Sequence, residues 1–383
     1  MSTFVQSHAL PILYGYSSDK KIKHWKIKAT CEDGAALLHT AHGFMNGAVQ
    51  ETSKEIKGKN IGKANETSPF SQACKEAKSA WKKKLDSNYR ESIEELEDLP
   101  LLPMLAHPYE KRKHDIRWPC FVQPKLNGVR CLATKKSNDV IIYISRTGKV
   151  WETLDYMTPY LLPLMEIGET LDGEIFNPDL TFQEITKRVK RVKTSRFNIS
   201  HDPLEYHIFD IVNEHRTFED RFGSFVLRYT VYCKDSMVAT DKVNPIVIVP
   251  TVEVGDEDQM LKLHKNWTRD GYEGTILRNH KGMYVTDNRS KNLQKHKDFM
   301  DEEFKVVGGH EGIGHDKGTV IFTCVTKDGQ NFNVRPKGTR ADRANWWNNL
   351  DRFVGSLLTV KFQNYSDDGI PIFPVGLGLR NYE

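Results

Sequence analysis

Little in this 383-residue sequence would tie it to a membrane or to an oxidising compartment. No stretch approaches the roughly 18–20 consecutive apolar residues that cross a bilayer, and the mean hydropathy is −0.56. The opening MSTFVQSHALPILYGY lacks a basic start followed by a continuous apolar run, so neither membrane residence nor Sec export is expected. The six cysteines (Cys31, Cys74, Cys120, Cys131, Cys233 and Cys324) are scattered with no C-x-x-C pair. That argues against a zinc ribbon or a disulfide framework and fits a reducing, intracellular setting. Fixed-period repeats and low-complexity tracts are missing as well. So is a large excess of one charge: 55 Lys+Arg stand against 51 Asp+Glu, a net +4. What is there, 38% hydrophobic and 28% charged residues, describes a soluble globular chain long enough for two or three cores.

The near-neutral mean hides local asymmetry. Residues 1–90 carry 15 Lys/Arg and 8 Asp/Glu, an excess of seven, and the acidic run ESIEELED (91–98) follows. This change of sign beside Leu99-Pro100-Leu101-Leu102-Pro103 predicts a domain boundary with a stiff linker. A second basic cluster comprises Lys187, Arg188, Lys190, Arg191, Lys193 and Arg196. A solvated face would explain any one such cluster; several of them on a weakly charged body suit a phosphate-rich partner.

The periodicities predict an α+β chain in three parts. In the first, short strands such as KIKHWKIKAT (21–30), with mixed faces, precede a helix in which Ser68 caps, Pro69 opens, and Phe70, Cys74, Ala77, Trp81 and Leu85 share a stripe. GKNIGKANET (58–67) reads as a loop with exposed donors. The second part carries strand-like runs at FVQPKLNGVRCLAT (121–134), VIIYIS (140–145), ETLDGEIF (169–176), YHIFDIV (206–212) and GTILRN (274–279). Between them TFQEITKRVKRVKTS (181–195) is expected as one helix, opened by a Thr181/Glu184 capping box, with Ile185, Val189 and Val192 inward and its cations outward. The last ~80 residues read as a small antiparallel barrel with glycine turns, and TRADRANWWNNL (339–350) as a helix inserted among its strands.

Lys125-Leu126-Asn127-Gly128-Val129-Arg130 is the most informative segment. A lysine ends a strand after Gln123-Pro124, and Gly128 allows backbone to approach a ligand. Only an unprotonated amine attacks phosphorus, and dense positive charge around Lys125 is expected to release it. Alone, the hexapeptide reads more readily as a surface lysine beside a turn. Further elements follow in order: SRTGK with Arg146 on a glycine turn, LDGEI with Glu174 on a strand, and FDI with Phe209 beside an acid. EGTILR then gives Glu273 as a second strand-borne carboxylate, and LQKHK gives Lys295 and Lys297 in alternation, expected on one side of a strand. A buried structural acid or a core aromatic would account for each taken singly.

Together, over about residues 101–383, these motifs resemble the covalent nucleotidyltransferase superfamily, most closely the ATP-dependent DNA ligases of the small bacteriophage type. The resemblance implies an adenylyltransferase domain (ATP-grasp-like, with antiparallel sheets) over 101–300, then an oligonucleotide/oligosaccharide-binding (OB-fold) barrel over 301–383, behind a small α+β domain over 1–95. It implies that Lys125 forms a phosphoramide with AMP, passes AMP to a DNA 5′-phosphate, and that a 3′-hydroxyl then seals the nick with release of AMP. Gln123 would lie against the nucleotide. Arg130 and Arg146 would hold phosphates, Glu174 the ribose and Phe209 the adenine, while Lys295 and Lys297 would hold the α-phosphate. Glu273, with Glu174, would bind Mg²⁺. DNA contacts would come from Arg146, Lys187, Arg188, Lys190, Arg191 and, within FPVGLGLR, Arg380. ATP and Mg²⁺ are the implied cofactors and nicked duplex DNA the partner of a monomer, with roles in replication, repair or recombination, in a host-cell cytoplasm if the source is viral. Two departures stand out: Asn127 replaces the family's usual aspartate, and Asn381-Tyr382-Glu383 keeps little of the family's final motif.

HGFMNGAVQET, GKNIGKANET and the helix ending Trp81-Lys82-Lys83-Lys84 resemble a WGR-type DNA-binding module, although His42-Gly43-Phe44 keeps only the glycine of its signature. The excess of basic charge favours DNA there. Competing readings are an RNA ligase, a GTP-dependent mRNA capping enzyme, and a DNA-end-binding protein with a decayed catalytic domain. An NAD-dependent ligase would need a four-cysteine zinc module that these scattered cysteines do not form.

Overall fold

The computed structural model of the chain describes residues 6–17, 19–190, 204–236, 244–366 and 368–380. The chain divides into two compact units, Met1–Lys295 and His296–Glu383. Among the described residues no helix is long and apolar enough to cross a membrane.

The first unit opens with β1 (Gln6–Ala9), β2 (Leu13–Tyr16), β3 (Ile22–Glu32), β4 (Ala35–Phe44) and β5 (Val49–Ile56). They form a sheet in the order β1-β3-β4-β5, with β2 also on β3. β3 is cleaner than its sequence suggests: Trp25, Ile27 and Ala29 are buried while Lys26 and Lys28 between them are exposed. At 11 and 10 residues, β3 and β4 are not the short strands expected. Helix α1 (Pro69–Leu85) covers the apolar face; Ser68 accepts from the Ser71 amide and Pro69 begins the helix. The buried centre of its stripe is Ala73 and Ala77, whose lack of bulk lets helix and sheet close, while Phe70, Cys74, Trp81 and Leu85 pack as half-buried flanks. Burying a large apolar side chain such as Trp25 or Ile27 contributes about 1.5–3 kcal/mol. On the opposite face, Thr30 Oγ1 and Ser53 Oγ each lie 2.8 Å from a ring nitrogen of His39, near Lys26 and Lys28.

From residue 105 the chain lays down β6 (Leu105–Pro108), α2 (Tyr109–Arg112), β7 (Cys120–Lys125), β8 (Val129–Lys135), β9 (Ile141–Ser145) and α3 (Thr158–Leu161). Next come β10 (Thr170–Phe176), α4 (Phe182–Val189), β11 (Glu205–Ile211), α5 (Phe218–Ser236), β12 (Ile246–Ile248) and β13 (Val252–Val254). The series ends with α6 (Glu257–Arg269), β14 (Gly274–Arg278) and β15 (Arg289–His296). Two five-stranded sheets result, ordered β12-β11-β10-β8-β9 and β13-β7-β14-β15-β6. β11 pairs with β12 and β15 with β6 in parallel, while the β10–β11, β10–β8, β8–β9, β13–β7 and β14–β7 ladders are antiparallel. Apolar residues on one face of the first sheet, among them Cys131, Leu171, Ile175, Tyr206 and Ile208, pack with Ile185 and Phe225 from the helices. Val122 and Leu277 of the second sheet pack on Met260 of α6. The helix expected over 181–195 is seen as Phe182–Val189, with its capping box formed; Arg191, Val192, Lys193 and Arg196 lie outside the described residues.

The second unit holds β16 (Met300–Glu311), β17 (Val320–Val325), β18 (Asn331–Pro336), α7 (Arg340–Asn348), β19 (Leu357–Phe362) and β20 (Val375–Arg380). These strands close into a barrel, β16-β17-β18-β20-β19, around Phe304, Phe322, Val334, Val360 and Phe362. The barrel is not wholly antiparallel as expected: β18 and β20 pair in parallel. Geometry requires this, since alternating directions cannot close around an odd number of strands. Outside the barrel, Asp316 receives two bonds from Arg335 (2.8 and 2.9 Å) and one from Arg343 (2.7 Å), tying the β16–β17 connection to β18 and α7. Hydrogen bonds from Arg335 and then Arg343 hold the Asp316 carboxyl well below the usual carboxylate range.

Candidate active site

β7 and β8 are consecutive in sequence yet belong to different sheets, so Leu126-Asn127-Gly128 between them is a crossing from one sheet to the other. The strand-like run over 121–134 is thus two strands, the first ending at Lys125 as expected. The crossing is tight at Gly128: its amide donates to Glu174 Oε1 (2.8 Å), and a Cβ there would collide with the Ile175 carbonyl oxygen. Lys125 ends β7 at the crossing. Its ammonium is paired with the Glu273 carboxylate and donates to the Leu126 carbonyl (3.2 Å). The backbone holds the same pair together, for the Glu273 amide donates to the Lys125 carbonyl (2.9 Å). Glu273 sits one residue ahead of β14 rather than inside a strand, and it and Lys125 keep only 12% and 20% of their side chains exposed.

In register across three strands lie Arg130, Glu174 and His207. Burial pushes the Glu174 carboxyl up; Lys125, the Gly128 amide and Arg130 pull it back, and Glu273 adds like-charge pressure. The nucleophile candidate is thus bracketed by acids, which corrects the expectation of dense positive charge around Lys125. The nearby cations are committed elsewhere. Arg130 Nε and Nη2 bind Asp172 (2.6 and 2.5 Å), and Nη2 also reaches the Met104 carbonyl (3.2 Å). Burial lowers the Arg130 pKa, but Asp172 outweighs it and keeps the group above its ordinary value. The Arg130 guanidinium lies 4.7 Å from the centre of the Phe209 ring.

Gln123 is 1% exposed and its amide is spent inside the protein. Nε2 donates to the Phe209 carbonyl (3.2 Å) and to Thr251 (2.9 Å), and Oε1 accepts from Arg278 Nε (2.7 Å). This places Gln123 behind the site instead of against a ligand. Asn127 is exposed on the crossing, and Arg146 is exposed on the turn after β9. Lys187 and Lys190 are exposed, Arg188 is half-buried, and Arg191 lies outside the described residues. Lys295 closes the first unit near the end of β15, whereas Lys297 follows that strand and donates to Gln363 of the second unit (3.0 Å). The two lysines therefore do not share a strand face: the ladder with β6 ends at Lys295 opposite Pro108, which has no amide hydrogen to extend it. Arg380, at the end of β20, donates to Thr359 Oγ1 (3.1 Å) beside Glu303.

Five residues beneath the site escaped the sequence reading. Asp210, fully buried, accepts from Arg221 (2.7 and 3.0 Å) and from Arg278 Nη1 (2.6 Å). Asp172, also fully buried, adds Tyr284 Oη (2.6 Å) to its Arg130 pair. Asp172 stands in LDGEI, Asp210 in FDI and Arg278 in EGTILR, so proximity to the motifs was the available signal. His207 was also missed; its Nε2 lies 2.8 Å from Glu205, and burial holds its imidazole below the ordinary value.

Comparison with known proteins gives the family and the fold. A family model described as "ATP dependent DNA ligase domain" matches residues 103–297, and one described as "DNA ligase OB-like domain" matches 312–380. The DNA ligase of African swine fever virus (isolate Pig/Kenya/KEN-50/1950) is 27% identical over 371 residues, covering 91% of this chain and 85% of its own. That of Enterobacteria phage T4 is 22% identical over 244 residues, covering 54% of this chain and 50% of its own. Among solved structures, "Pmar-Lig_PreS3" has a TM-score of 0.63 at 21% identity, covering 74% of this chain and 68% of that one. A Lig E DNA ligase structure has a TM-score of 0.58 at 22% identity, covering 73% and 99%. At these identities the structures speak for the fold. Residues 1–102 lie ahead of both family matches, the first of which begins at 103.

Proposed function

The chain belongs to the ATP-dependent DNA ligase family, and from that premise we propose that it seals nicks in duplex DNA through an AMP carried on Lys125. The observation that carries this reading is the Lys125 amine held against Glu273, beside Glu174, at the crossing between the two sheets. An amine bonded to a carboxylate has a proton to lose before it can attack, and a Glu273 oxygen is the acceptor in reach. Nζ then attacks the α-phosphorus of ATP, the α–β phosphoanhydride bond breaks, and pyrophosphate leaves. An oxygen of the DNA 5′-phosphate attacks the same phosphorus, breaking the N–P bond and restoring the amine. The 3′-hydroxyl finally attacks the activated 5′-phosphate and AMP departs.

Glu273 paired with Lys125 and Glu174 bonded to the Gly128 amide put two carboxylates at one crossing, a donor set that fits a divalent cation, so both would hold Mg²⁺, which would offset charge on the phosphates. Phe209 serves as the base platform. Arg146, Lys295, Lys297 and Arg380 take phosphate roles on the family pattern, with Lys187, Arg188, Lys190 and Arg191 along the DNA. Arg130, already held by Asp172, orders the site more than it supplies a loose charge. The three-part division at 1–95, 101–300 and 301–383 is retained for these roles, and the enzyme works as a monomer. Viral relatives favour a host-cell cytoplasmic setting. No observation on the site favours RNA joining, GTP use or a decayed centre.

The test is a two-step incubation. Labelled ATP with Mg²⁺ should leave a covalent AMP adduct, and a nicked duplex added as a chase should discharge it into a joined strand. An adduct formed with GTP but not ATP, or one that a nicked duplex fails to discharge, would refute the assignment.

The N-terminal block, WGR-like in its sequence pattern, is the DNA clamp in this reading, and the uncovered sheet face bearing Lys26 and Lys28 is its binding surface. Lys26→Gln/Lys28→Gln should leave adduct formation unchanged. The slope of log K against log salt for duplex binding should become shallower by about 2, near 0.9 for each phosphate no longer neutralised. A slope equal to that of the parent chain would remove this face from the DNA.

A further inference from the structure

Phe209 is an irregular residue in its own strand. The β10–β11 register runs Asp172 with Asp210 and then Gly173 with Ile208, so Phe209 is the extra residue of a bulge. Bulges re-aim a side chain, and they leave its position to be fixed by something other than the ladder. Here three restraints on the bulge come from one residue of the other sheet. Arg278 Nη1 holds Asp210 Oδ2 (2.6 Å), the next residue along. Its Nε holds Gln123 Oε1 (2.7 Å), and Gln123 Nε2 in turn holds the Phe209 carbonyl (3.2 Å). Its guanidinium carbon lies 5.5 Å from the Phe209 ring centre and 4.7 Å from that of Phe218, so the group contacts both aromatic rings. Arg278 is 3% exposed and Gln123 1%.

We propose that Arg278 is a positioning residue for the nucleobase: it sets the place of Phe209, and thereby adenine binding, without touching the nucleotide. The inference rests on Phe209 being the base platform. A lysine would preserve the charge facing Asp210, but a point-like ammonium cannot also donate to Gln123 while keeping the guanidinium's contacts with both rings.

The test compares Arg278→Lys, Gln123→Met and Phe209→Leu in the full chain, each measured for adduct formation against ATP concentration and for inhibition by pyrophosphate, which carries no base. Arg278→Lys should raise the half-saturating ATP concentration about tenfold, the scale of one missing charge-assisted hydrogen bond. The rate at saturation and the pyrophosphate inhibition constant should stay within about twofold of the parent, since neither depends on the base. Gln123→Met, which removes the relay to the Phe209 carbonyl together with the bonds to Thr251 and Arg278 but leaves the Arg278–Asp210 pair, should shift ATP in the same direction by about threefold. If Phe209→Leu raises the ATP requirement and Arg278→Lys does not, the inference fails and the platform stands. If ATP and pyrophosphate weaken by the same factor, Arg278 holds the fold generally and the inference fails. If Phe209→Leu changes nothing, the platform falls and the inference with it.

Discussion

Lys125→Ala incubated with labelled ATP and Mg²⁺ is expected to carry no AMP through denaturation, a loss of more than about 10⁴-fold, because the only atom that makes the N–P bond is gone. Lys125→Arg should fail equally. Its guanidinium still pairs with Glu273 but offers no lone pair to phosphorus, so the comparison separates nucleophilicity from the ion pair. Both variants should still join a nick whose 5′ end has been adenylated beforehand, since that step does not consume the amine. Denaturing gel autoradiography reads all three results. A labelled adduct on the alanine variant would show that another side chain is the acceptor, and the role given to the β7–β8 crossing would be wrong.

Asp210→Ala should produce the largest loss of stability of any single change in the first unit's charged interior. The carboxylate is fully buried and faces Arg221 and Arg278, which are 1% and 3% exposed. Its removal strands two guanidinium groups where water cannot reach them, at a cost of about 3–5 kcal/mol. For a unit of this size that is roughly a 10 °C fall in the melting temperature, taking a few degrees per kcal/mol. The Lys149–Asp86 pair at 2.7 Å is a useful control, since both side chains are well exposed. Asp86→Ala should cost less than about 1 kcal/mol, although its ion pair has the same length. Thermal unfolding followed by circular dichroism decides it; equal losses for the two variants would mean that the Asp210 network is open to solvent.

How far the sequence could be read depended on whether a residue's role was local. Ser68, Pro69 and the Thr181/Glu184 box were legible because a cap is made within four residues. The order Lys125, Glu174, Phe209, Glu273 was legible as a family pattern, and the family itself is matched over 103–297. What a single strand pattern cannot carry is which sheet the strand joins. FVQPKLNGVRCLAT is apolar enough to run on, and nothing in it announces that Val129 enters a different sheet from Val122. The same blindness hid the charge balance. Asp210 and Arg278 look like surface or ligand groups in isolation, and only the meeting of the two sheets turns them into one another's partners. It also misjudged the late lysines, because alternation predicts a shared face only while the strand lasts, and β15 ends at His296.

The crossing at Leu126-Asn127-Gly128 has a counterpart. β12 and β13, joined by Val249-Pro250-Thr251, also lie in different sheets, and Thr251 is the residue that Gln123 holds. Two tethers of three residues each leave almost no slack. One inserted residue would add about 3.3 Å of chain, which is more than the length of any hydrogen bond that now locks Lys125 or Gln123 in place. Length variation among descendants of this sequence should therefore collect in the outer loops, and both tethers should keep their span even where their residues drift.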